Sequence, residues 1–232
     1  MNRMLLAVVT SALFAATASA DPLAAAPGSP PPSSTAPVAL DADLLAIQRA
    51  WAHANYEIAA GAARESALEA LVARAADFAR RNPGRAEPLI WEGIVESSYA
   101  GARGGLGALG VAKQAFAHLQ AALRIDPRAL DGSAYTSLGT LYYKVPGFPL
   151  GFGDDDKARA YLEKALEINP AGIDPNFFYA EFLYEQGDYL HALERLERAA
   201  HAPDRPNREV ADRGRRAEID ALAAKTRAKL RA

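Results

Sequence analysis

A phrase that returns at fixed spacing constrains this chain more than any other feature. Ala158-x3-Leu162-x2-Ala165 recurs as Ala192-x3-Leu196-x2-Ala199, each position offset by 34. Self-similarity at that period marks a unit of two antiparallel helices whose neighbours stack, because one unit alone cannot bury its apolar face. An earlier copy, Ala115-x3-Leu119-x2-Ala122, runs on to Ile125-Asp126-Pro127 and parallels Ile168-Asn169-Pro170 at an offset of 43. The middle copy therefore carries nine extra residues. Such an all-α solenoid presents a concave binding surface rather than a catalytic pocket.

Residues 1–20 read as an export leader. Asn2 and Arg3 open it, an apolar run extends from Met4 to Ala16, and Ala18-Ser19-Ala20 offers small residues before a cut after Ala20. The run is too short to span a bilayer. The chain has no cysteine, so it has neither a disulfide nor a lipid attached through cysteine. Export without disulfides points to a soluble periplasmic protein with no stable membrane anchor. Residues 21–39 hold Pro22, Pro27, Pro30, Pro31, Pro32 and Pro37 among Ala, Ser and Gly. That composition buries too little apolar surface to offset chain entropy and predicts a disordered linker. Residues 40–232 are then one helical domain. A net charge of −2 carries no nucleic-acid footprint, although the segment from Arg205 onward is locally basic.

Three helix pairs follow from the phrase: 87–100 with 111–125, 133–144 with 155–168, and 175–186 with 189–200. Small residues let the two helices of a pair approach while leucine fills the ridge between them. Pro127, Pro170 and Pro203 close the second helices. Asp174 before Pro175, and Asp188, read as N-caps. Segments 43–60 and 65–81 form a degenerate leading pair, and 208–230 an amphipathic helix that covers the last repeat. Within it, Glu209 with Arg213 and Asp212 with Arg216 are spaced to pair along one face. The inserts 101–110 and 145–156 read as long loops between the helices of their pairs, where a repeat fold places function.

The repeat length is that of a tetratricopeptide unit, and the loop carries a finer resemblance. Leu138-Gly139-Thr140-Leu141-Tyr142-Tyr143-Lys144-Val145-Pro146-Gly147, then Gly151-Phe152-Gly153-Asp154-Asp155-Asp156-Lys157-Ala158, resembles the TatT-like T component of TRAP transporters. Asn169-Pro170-x-Gly172-Ile173-Asp174-Pro175 extends the likeness. It implies a periplasmic tetratricopeptide protein that cooperates with the transporter's substrate-binding subunit. The lipidation cysteine some members carry has no counterpart here.

Motifs that imitate chemistry have plainer readings. Gly105-x-Gly107-x-x-Gly110 spells a dinucleotide fingerprint but follows a helical segment, not the buried strand that fingerprint needs. Asp154-Asp155-Asp156 lacks calcium-loop spacing and suits a helix N-terminus. The four histidines have no partner at zinc spacing, so neither a metal nor a cofactor is expected. No nucleophile–base set is present, and the chain reads as a non-enzymatic binder. In tetratricopeptide numbering the groove positions are Glu92, Glu96 and Tyr99, then Thr136, Thr140 and Tyr143, then Phe177, Glu181 and Tyr184. The three tyrosines form a ladder suited to gripping a protein or peptide partner. A TRAP substrate-binding subunit is the partner in the alternative reading, and the oligomeric state stays open. In the second loop, Phe148 and Phe152 are predicted to fold back on the helices or to meet a partner.

Overall fold

The computed structural model describes residues 35–231. The leader and most of the linker lie outside them. Nine helices occupy the described residues: α1 Thr35–Tyr56, α2 Ala62–Arg81, α3 Ala86–Arg103, α4 Gly105–Ile125, α5 Ala129–Lys144, α6 Asp155–Ile168, α7 Ile173–Glu185, α8 Tyr189–Ala200 and α9 Glu209–Arg231. Each odd-numbered helix up to α7 pairs with the next, and the pairs stack. This is the helical-repeat solenoid that the phrase predicts, with Ala158, Leu162, Ala165, Ala192, Leu196 and Ala199 all buried.

The pairs close because glycine stands where two helices touch. A Cβ on Gly93 of α3 would lie 2.6 Å from Leu119 Cγ, and one on Gly139 of α5 would lie 2.6 Å from Leu162 Cγ. Helix α9 packs on α7 and α8 as a terminal cap, and it also packs on α1. The array is thereby closed: α1, α3, α5, α7 and α9 form an inner ring, each touching the next. Arg49 donates to Asn207 at 3.2 Å and Tyr56 to Glu218 at 3.3 Å across the closure.

Four boundaries differ from the sequence expectation. Helix α1 begins at Thr35, inside the segment assigned to the linker. The expected loop 101–110 is mostly helix: α3 runs to Arg103 and α4 starts at Gly105, with only Gly104 between. In α5, Leu130, Asp131 and Gly132 have φ of 48°, 54° and 76°, so one left-handed turn precedes regular helix from Ser133. The N-cap of α7 is Gly172, not Asp174. Asp154 and Asp188 do cap their helices, accepting from the backbone N–H of Lys157 and His191.

Candidate functional site

The ring lines a half-open cavity of about 920 Å³, within the range of pockets that bind small ligands. Helix α1 contributes Trp51 to its wall, α3 Trp91 and Ile94, α4 Leu109, and α7 Phe178. Loop 145–154 closes one side through Val145, Pro146 and Leu150. Trp51 meets Trp91 edge to face at 5.8 Å and donates through Nε1 to Ser98 Oγ at 2.8 Å. The early start of α4 brings Gly105, Ala108, Leu109 and Ala112 to the wall.

Charge on the wall is uneven: Lys144, Arg205, Arg208 and Arg215 face Asp131 and Asp174. Asp174 joins α7 to α9. It accepts from Arg205 Nη1 at 2.5 Å and Arg215 Nε at 2.9 Å. Burial opposes its ionisation, but the two guanidiniums outweigh that and hold its carboxyl at about 2. Asp212 takes up Arg205 from the other side at 2.7 Å, not Arg216 as the spacing within α9 predicted. Arg216 pairs with Asp204, and Arg213 with Glu57 rather than Glu209; tertiary partners win over exposed pairs on one helix, which are worth little. Arg215 is almost fully buried and lies 4.4 Å over the rings of Phe177 and Phe178. Arg208 rests over Trp91 at 5.1 Å. Its Nε is buried and has no hydrogen-bond partner among the described residues. Burial first, and Arg205 second, lower its pKa.

Of the nine groove residues expected from sequence, Thr136 and Thr140 line this cavity. Phe177 and Glu181 line a smaller cleft of about 300 Å³ between α7 and α9. Tyr99, Tyr143 and Tyr184 form no ladder there. Tyr99 donates to Glu69 of α2 at 2.8 Å, Tyr143 donates to Glu181 at 2.7 Å, and Tyr184 packs on Tyr189. The α3 residues that meet the cavity are Trp91, Ile94, Ser97, Ser98, Ala100 and Gly101, none of them in the expected set. Glu92 and Glu96 instead turn toward His118 of α4: Glu96 Oε2 lies 2.8 Å, and Glu92 Oε1 3.9 Å, from its Nδ1. The hydrogen bond to Glu96 raises the His118 pKa, and burial raises that of Glu92. In the loop, Phe152 folds back against Phe116 at 4.8 Å, whereas Phe148 is 93% exposed.

Sequence reasoning missed the arginines of the wall. They were legible only as a basic tail, because nothing local shows that the last helix returns to the first. No described helix is long and apolar enough to cross a membrane. No curated protein matches the chain in a sequence search. Residues 150–212, from the loop through α8 into α9, match a family model described as tetratricopeptide repeat. The recurring phrase, the ring of paired helices and this match together support a tetratricopeptide-repeat protein.

Proposed function

We propose that the protein is a non-enzymatic binding module of the periplasm that seats a partner's peptide segment in the central cavity. Tetratricopeptide repeats generally mediate protein–protein interaction, and the leader-like residues 1–20 support export. The observation that carries the site is the Arg208 guanidinium, which lies over Trp91 on the cavity wall and has no carboxylate paired with it among the described residues. A partly buried guanidinium without an anionic partner gains from a ligand that supplies one. With four cationic and two anionic side chains on the wall, an anionic end is favoured, and a chain-terminal carboxylate suits a guanidinium. The body of the segment then lies on Trp51, Trp91 and Phe178. Glu92, Glu96 and Glu181, whose charge would repel such an end, are not on this wall.

Both tryptophans of the chain line the cavity, so their fluorescence reads its occupancy. Apolar hexapeptides with a free C-terminal carboxylate are expected to shift that emission saturably, and C-amidated ones to bind at least tenfold more weakly. Arg208→Gln removes the difference. If neither peptide set perturbs the emission, the cavity is not a peptide seat. A second reading, an accessory subunit of a TRAP-type transporter, rests on the likeness of residues 138–158 to its T component. Capture of a solute-binding subunit from periplasm by the tagged protein would favour it.

A further inference from the structure

The seam between α3 and α4, away from the cavity, holds a second group of polar side chains that the binding function does not use. We propose that Glu92, Glu96 and His118 form a site for one divalent transition-metal cation of the zinc type. One donor atom from each lies within 4.8 Å of the others. Donors bound at about 2.0–2.2 Å around a tetrahedral ion stand about 3.4 Å apart. The observed separations of 2.8 Å and 3.9 Å to His118 Nδ1 bracket that value, and all three donors lie within 4.8 Å, so small side-chain movements close the site.

The backbone places these groups rather than chance contact. Glu92 and Glu96 are one turn apart on one face of α3. Gly93 between them lets α4 approach so closely that its own Cβ would collide with Leu119, which brings His118, one residue earlier, to the carboxylates. Glu92 is an independent sign of a missing ligand. Its side chain is 9% exposed and points to the cluster, yet it accepts no hydrogen bond from any described residue. Its nearest cationic group is His118 Nδ1 at 3.9 Å, too far for a hydrogen bond, and a cation between Glu92 and Glu96 gives this carboxylate a close partner. The donor set narrows the ion. One imidazole nitrogen with two carboxylate oxygens suits zinc and its neighbours, with a fourth position for water, and disfavours calcium or magnesium, which take oxygen donors throughout. His118 is one-third exposed, which leaves a route in. The site and the cavity stand apart, and neither depends on the other.

The test is titration of the metal-stripped full chain with zinc chloride, followed by calorimetry and by the thermal midpoint. One Zn²⁺ per chain, and a midpoint raised by several degrees, are expected. Glu96→Gln and His118→Gln, which each remove a direct ligand, should weaken binding by at least the roughly 10- to 100-fold that changes to outer-shell partners alone cost. Because those variants also break an ion pair, Glu92→Gln is the decisive one. It keeps the shape and removes a carboxylate that has no hydrogen bond, so metal-free stability should hold or rise while Zn²⁺ affinity falls at least tenfold. A double variant, His53→Gln with His191→Gln, should bind as the parent does. Absence of stoichiometric zinc binding, or undiminished binding by Glu92→Gln, overturns the site and leaves Glu96–His118 as an ion pair beside Glu92.

Discussion

Two glycines decide how closely the helices of a pair approach. At Gly93 and Gly139 an added Cβ meets a leucine Cγ at 2.6 Å and a backbone carbonyl oxygen at 3.1 Å and 3.2 Å. Helix propensity alone favours alanine at such positions by about 1 kcal/mol, but overpacking a tight seam costs about 1–3 kcal/mol. Gly93→Ala and Gly139→Ala should therefore each destabilise by a net of up to about 2 kcal/mol in denaturant titrations. Gly101→Ala, on the same helix as Gly93 but with nothing within 4 Å of its Cβ, should be neutral or stabilising. Asp174 supplies a second residue-scale prediction. Its folded pKa of about 2 lies below the ordinary value of about 3.9. Its contribution is thus present above pH ~4 and lost as pH falls toward 2. Allowing for its partly exposed carboxylate, this is about 1–2 kcal/mol. Asp174→Asn should flatten stability against pH in that window. At neutral pH it should cost up to about 3 kcal/mol, because Arg215 stays buried with only Glu218, at 2.7 Å, to balance its charge.

At the scale of elements, segments built on the repeat phrase were legible, and segments where packing overrides local preference were not. The second helices of the three pairs end where proline and the Ala–Leu–Ala spacing place them. The glycine-rich stretch 101–110 read as a loop because each helical glycine costs about 1 kcal/mol relative to alanine. It is helical because Leu109 and Ala112 reach the cavity wall, and because Gly107 leaves room for Arg103, whose Nε would stand 2.8 Å from a Cβ there. The loop 145–154 shows the converse. Its aromatic residues were legible as something other than a spacer, but not which of them packs. The backbone decides that. Gly153 passes so close to the Val145 carbonyl that no Cβ fits, and Gly153 N–H donates to Pro146 O at 3.0 Å. This turns Phe152 onto Phe116 and Tyr142 and leaves Phe148 outside. Phe152→Ser should lower the melting temperature by several degrees, from a loss of about 1–3 kcal/mol for a half-buried ring. Phe148→Ser should leave it unchanged. Equal effects of the two would mean that the loop does not hold this conformation.

The whole molecule differs from an open solenoid in one respect, the return of α9 to α1, and that contact makes a cavity out of a groove. A repeat period specifies nearest-neighbour stacking and is silent on whether the array closes, since curvature accumulates from small rotations per repeat. The sequence therefore displayed the amphipathic α9 as a cap, while its packing on α1, and the placing of Arg215 and of Arg205 and Arg208 just before it on the cavity wall, depended on geometry. Gly214 is where closure can be tested. It faces Tyr56, and a Cβ there would lie 2.3 Å from the ring atoms Cγ and Cδ1. Tyr56 in turn stands edge-on to Trp51 at 5.8 Å. Leucine at this position is a better helix former than glycine, so α9 itself should be no less helical in Gly214→Leu. The added bulk should instead wedge α9 from α1 and move Trp51. Because stability in a stacked array is close to a sum of neighbouring terms, α3 to α8 should keep their structure. Helical signal in circular dichroism should stay within a few per cent of the parent, tryptophan emission should shift to the red, and the melting transition should broaden and begin earlier. A single sharp transition with unchanged emission would show that α1 and α9 are not joined in this way.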